Sequence, residues 1–274
     1  RADIVARAQT SRGPLGVLYK LLSFGDRTMT EESRAADAWL IRWLSIAGIP
    51  AACILHGYVG FLFGAVKANP WWSTAMMPII FLASAVVSGI AALLALYLFL
   101  CWRRKATPDA ACVQSLARYL WAALIVAVSL EMLELLHMAY ESGAEWHVLS
   151  RLLVERLAVS YGVVQVLIGS LCPFVLLLLA MRPQNNPRVV ASLSGVASLL
   201  ILVQVFAMRW NVVVGGQLFS KSFRGFVEFP LPVGGREGVI AAAVVLTLPL
   251  IALWVFGRLL PLWPGETGAA AQLK

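Results

Sequence analysis

Glu131, Glu134, His137 and Glu141 follow one another at steps of three or four residues inside one long apolar stretch. On a helix such steps return to the same face, and at about 100° per residue the four side chains fall within an arc of roughly 120°. Carboxyls and an imidazole in a row can take up a proton, hold it and pass it on, which is general acid and base chemistry. An ionisable group in hydrocarbon costs about 2.5–3.5 kcal/mol on insertion scales, so each one inside a span is a functional candidate by default. Glu131, Glu134 and His137 form the candidate catalytic set, with Glu141 at the edge of the stretch. Other strongly polar groups within apolar stretches are few: His56, Gln165 and Gln204. An imidazole or an amide can hydrogen-bond a carbonyl oxygen of a ligand, or simply tie helices together.

These side chains sit in a chain that is 60% hydrophobic and 13% charged, where an ordinary soluble domain is roughly 45–50% apolar and about 25% charged. The expected fold is therefore all-α, a polytopic transmembrane helical bundle with six spans. The spans are expected near Leu40 to Val66, Met76 to Trp102, Leu116 to Tyr140, Leu157 to Met181, Val189 to Met208 and Val239 to Leu260. Pro50, Pro173 and Pro249 fall inside spans and should bend them. The domain plan is an N-terminal segment and linker over 1–38, the bundle over 39–261 and a tail over 262–274. Pro14 to Phe24 is apolar but too short to span, and reads as a surface-lying helix. Asp26 to Asp37 reads as a polar linker, with Thr30-Glu-Glu as a helix start. Two connections are long, 141–156 and 209–238, and a long loop in a compact bundle is usually functional or partner-binding.

Lys and Arg assign the orientation. With six spans, 15 of the 22 fall on the face shared by the N-terminal segment, the second and fourth connections and the C-terminus. That face is expected in the cytoplasm of a bacterial or archaeal inner membrane, with both long connections outside. Trp71, Trp72, Trp102, Trp146, Trp210 and Trp263 lie at span boundaries as an interfacial belt. The net charge of +8 follows from this topology and calls for no nucleic acid. Cys53, Cys101, Cys112 and Cys172 are scattered, with no spacing for a zinc or iron–sulfur site. Haem b needs two facing axial ligands; His56 and His137 differ in depth by about two turns and His147 lies in a loop, so no haem is expected.

Gly48 to Gly60, GIPAACILHGYVG, followed by Pro70-Trp-Trp and then Pro78 to Ala91, PIIFLASAVVSGIA, resembles the NrfD family, the PsrC-type membrane subunits of polysulfide-reductase-like complexes. Arg209 to Gly225, RWNVVVGGQLFSKSFRG, is most similar to the longer DsrP- and HybB-like branch found in sulfite-reductase-associated and hydrogenase-linked complexes. The resemblance implies a haem-free bundle that binds a quinone, menaquinone or ubiquinone, near the outer face. It also implies electron exchange with an iron–sulfur partner subunit docked outside the membrane, among other redox subunits. Members have about eight to ten helices, so this chain, which begins at Arg1, is expected to be the C-terminal part of such a subunit. On that basis His56, Gln165, Arg209 and Asn211 are the expected quinone ligands. The long outer loop, with Arg209, Asn211, Lys221 and Arg224, would seat the partner. The alternative is a proton-coupled secondary transporter or ion-translocating subunit, since buried acids and Pro-broken helices describe that class too. The one-sided placement of the polar groups favours the redox reading.

Overall fold

The computed structural model describes residues 2–260 other than 12, 24–27, 29, 70, 183, 221–224, 231 and 237. Its elements are α1 (Ala2–Thr10), α2 (Pro14–Leu22), α3 (Glu31–Gly64), α4 (Met77–Arg104), α5 (Ala110–Glu141) and α6 (Ala144–Glu155). A wide-turn π segment, π1 (Ala158–Leu171), then runs into α7 (Cys172–Ala180). Next, α8 (Pro187–Trp210) runs into a second one, π2 (Asn211–Gly215), and α9 (Val239–Leu259) follows. Among the described residues there is no strand beyond a single antiparallel bridge, Phe219 with Phe226. Among the described residues, six helices are long and apolar enough to cross a membrane: α3, α4, α5, π1 with α7, α8 with π2, and α9. The chain is an integral membrane protein of the all-α class.

The chain divides into two compact units, Pro50–Phe229 and the pair Arg1–Ile49 with Pro230–Lys274. In the first, α4, α5, α7 and α8 enclose a core in which Leu94, Leu120, Leu177 and Ile201 are fully buried. Asp109 starts α5 by accepting the Ala111 N–H at 2.9 Å, and Asn186 starts α8 by accepting the Arg188 N–H at 3.1 Å. Gly169 lets π1 approach α8 closely, because a Cβ there would lie 2.9 Å from the Gln204 Cα. Pro173 stands just beyond π1 and returns no N–H to the carbonyl of Gly169. The change from wide to normal turns falls at that point. Pro50 and Pro249 stay within continuous helices.

In the second unit α1 and α2 serve the end of α9. Arg7 and the Tyr19 hydroxyl donate to the Leu259 carbonyl at 3.1 and 2.7 Å. They satisfy a group that the helix itself leaves open and place a cation at its negative end. Among the described residues, α3 and α9 leave most of their apolar side chains uncovered. Lipid is as apolar as Leu, so such faces cost nothing in a bilayer.

Three sequence expectations change. The polar linker expected over 26–37 gives way to helix from Glu31 onward, while the start expected at Thr30-Glu-Glu holds: the Thr30 hydroxyl accepts the Ser33 N–H at 3.2 Å. The connection 141–156 is not loop but contains α6, whose Leu149 and Leu152 are fully buried. The segment 209–238 does not begin as loop: helix continues through Arg209 and Asn211 to Gly215. Its next residues, Leu218 and Phe219, fold back, with the Val227 N–H donating to Leu218 O at 2.8 Å, and pack on Leu149, Leu152 and Leu157. The tail 262–274 lies outside the described residues.

Candidate functional site

The site is assembled from α5, π1 and α8 with π2. Glu131, on α5, accepts an N–H from Gln165 Nε2 at 3.0 Å and a longer one from Gln204 Nε2 at 3.5 Å. Gln165 lies on π1 and in turn accepts from Asn211 Nδ2 at 2.8 Å through its own carbonyl oxygen. The three amides are 3%, 3% and 0% exposed, while Glu131 is partly buried. A carboxyl with amide N–H donors on both oxygens is fixed in orientation and stays hydrogen-bonded when desolvated. One atom of the set has no partner, the buried Asn211 Oδ1.

Glu131 faces a narrow cavity of about 40 Å³, room for a few waters. Glu134, one turn further along α5 and 9% exposed, lies in the same wall with Gln165 and Tyr161. The rest of the wall is apolar: Trp71, Met77, Ile80, Leu135, Met138, Met208 and Val212. Flexible, polarisable Met side chains can re-pack around a flat guest. The wall is braced from the α3–α4 connection. Trp72 Nε1 donates to Val212 O and Asn69 Nδ2 to Gly216 O, both at 2.6 Å. Gly216 has no room for a side chain beside the Trp72 ring.

Of the residues picked from sequence, the structure brings Glu131, Glu134, Gln165 and Asn211 together. Asn211 reaches them from a buried helical position and not from an outer loop. Arg209 is on the same helix but turned elsewhere: its guanidinium donates to Ser84 Oγ at 3.2 Å and stands 5.2 Å over the Phe81 ring. His137 is exposed and paired with Glu141 at 3.6 Å. His56 is absent from the cavity wall, and its Nδ1 lies 3.0 Å from Ala52 O of its own helix. Lys221 and Arg224 lie outside the described residues. Sequence reasoning passed over Tyr161 and gave Gln204 no preference over a packing role. The signal for Tyr161 was its place four residues before Gln165.

The chain is 37% identical over 105 residues to a selenate reductase subunit of Mesobacillus selenatarsenatis, a match covering 36% of this chain and 24% of that relative. The chain thus spans about a quarter of that relative's length. A family model described as polysulphide reductase, NrfD, matches residues 3–221. That stretch takes in all the elements that build the cavity, and the chain belongs to the NrfD polysulphide reductase family.

Proposed function

We propose that this chain is a quinone-reactive membrane subunit of a multi-subunit oxidoreductase, exchanging electrons with an iron–sulfur subunit docked outside the cytoplasmic membrane. The observation that carries the reading is a carboxyl, Glu131, held by buried amides at the edge of a Met-lined cavity. Membership in the NrfD family and likeness to a protein named as a reductase subunit support it. The polar groups also lie in one half of the spans: Glu131 about three turns before the end of α5, Gln204 and Asn211 past the middle of α8 with π2, and Gln165 in the first half of π1 with α7. A transporter site belongs near the midplane with access from both faces.

The cavity is narrower than a quinone ring needs, so a ring would enter only as Met77, Met138 and Met208 re-pack. Trp71, Ile80, Met138 and Met208 offer an apolar bed, and Glu131 offers a group that can donate to or accept from a ring oxygen. A bound quinone supplies a two-electron, two-proton couple. Glu131 takes or gives a proton at the cavity, and Glu134 is the next carboxyl along the same face. The exposed His137 and Glu141 continue that face to water. Gln165 and Gln204 hold Glu131 while it does so.

Lipid extraction and optical spectroscopy of the purified complex test the reading together. Co-purifying quinone without haem bands is the expected result. A quinone-free protein that purifies alone would overturn it.

A further inference from the structure

Tyr19 and Arg7 meet at the last carbonyl of α9. The Tyr19 hydroxyl donates to Leu259 O at 2.7 Å and the Arg7 guanidinium at 3.1 Å. With 21 residues, α9 is about 31 Å long at 1.5 Å per residue, which matches a hydrocarbon core of about 30 Å. Leu259 therefore stands where the hydrocarbon ends, and the two bonds hold α1 and α2 at that depth. All three helices belong to one compact unit.

The pattern of α2 is unlike that of a helix lying in water. Its inner face is Gly16, Tyr19 and, just past its end, Ser23, all buried. Leu15, Val17, Leu21 and Leu22 are exposed, and at about 100° per residue they fall within an arc of roughly 160° opposite that face. The outward side is thus apolar, with Lys20 at its edge. A water-facing helix carries polar residues there instead. No described residue of α9 is buried, so lipid already surrounds the end of the span to which α2 is bonded. That same lipid covers the outward face of α2.

Charge selects among lipids at this end. Arg7 is part of the junction, and Lys20 and Arg258 are the sequence neighbours of its other two members, Tyr19 and Leu259. Among the described residues none of these cations is paired with a carboxylate; Arg258 rests 5.4 Å over the Trp254 ring. Residues 1–27 hold five Lys or Arg against two Asp. Cations left uncompensated beside an interfacial apolar helix attract anionic headgroups.

We propose that α1, α2 and the end of α9 form a binding site for an anionic phospholipid. Arg7, Lys20 and Arg258 hold its phosphate, and its acyl chains pack on Leu15, Val17, Leu21 and Leu22. The phosphate of phosphatidylglycerol has no cation of its own, whereas that of phosphatidylcholine is offset by an ammonium. The site therefore takes the first in preference to the second. A lipid held there ties α1 and α2 to the leaflet in which α9 ends, independently of the carboxyl cavity.

Native mass spectrometry of the complex, loaded in nanodiscs of equal phosphatidylglycerol and phosphatidylcholine and released into mild detergent, reads which lipid stays. Phosphatidylglycerol should be retained preferentially. The preference should fall roughly fivefold for each cation removed in Lys20→Gln and in the double variant Lys20→Gln, Arg258→Gln. Both side chains are exposed, so the variants should fold. Equal retention of the two lipids, or a preference that the double variant leaves untouched, would overturn the site. Photo-cross-linking from benzoylphenylalanine in place of Leu21 identifies what covers α2 in the assembled complex. Cross-links to phospholipid are expected, and a cross-link to another subunit would overturn the assignment to lipid.

Discussion

Glu131 differs from the other ionisable residues of α5 in what holds it. His137 and Glu141 stand 62% and 65% exposed at their side chains, where an ion pair contributes little, roughly 0–1 kcal/mol. Glu131 has amide donors from two other helices. The account therefore predicts that Glu131→Gln lowers quinone-dependent turnover by about 10²-fold or more, the usual contribution of a general acid or base, with normal assembly by gel filtration. His137→Ala should keep turnover within about twofold in the same assay. A large loss there would place the proton exit on that imidazole alone. The acids were legible in sequence because charge in an apolar run is conspicuous. Gln204 was not: a neutral amide in a span resembles an ordinary helix tie until its distance to the carboxyl is known.

At the scale of elements, the two wide-turn segments were invisible in the sequence. Periodicity distinguishes helix from strand, but one extra residue per turn leaves the same apolar run. Both carry a member of the amide chain, Gln165 on π1 and Asn211 at the start of π2. The connection 209–238 looked like loop because Gly215, Gly216 and the polar residues after them interrupt the apolar pattern. Yet Gly216 is where the Trp72 ring packs, so those glycines mark close contact and not a free turn. Gly169 works likewise between π1 and α8. Gly169→Ala should force α8 away at Gln204, lowering the thermal midpoint by roughly 5 °C, as overpacking of about 1–3 kcal/mol implies. Turnover should fall with it. A midpoint unchanged in a thermal-shift assay would show that the two helices have slack there.

For the molecule as a whole, composition alone settled the class, since 13% charge cannot coat a soluble surface. The six spans followed from length. Their ends did not, because amphipathic turns such as Glu31 to Asp37 extend a helix past its apolar part. The orientation proposed from loop charge has a direct check. A cysteine placed at Ser142 should react with a membrane-impermeant maleimide added to intact cells or right-side-out vesicles. One placed at Ala106 should react only after permeabilisation. The reverse pattern would put the carboxyl cavity near the cytoplasm and move the partner subunit to that side.

The central claim is that a quinone meets Glu131 in the cavity between α5, π1 and α8. Photolabelling of the intact complex with an azidoquinone, followed by peptide mapping, tests it most directly. The account predicts label on the peptides that carry Met138 and Met208, competed away by excess unlabelled quinone. Label confined to peptides of α3 around His56, or none that quinone displaces, would contradict it.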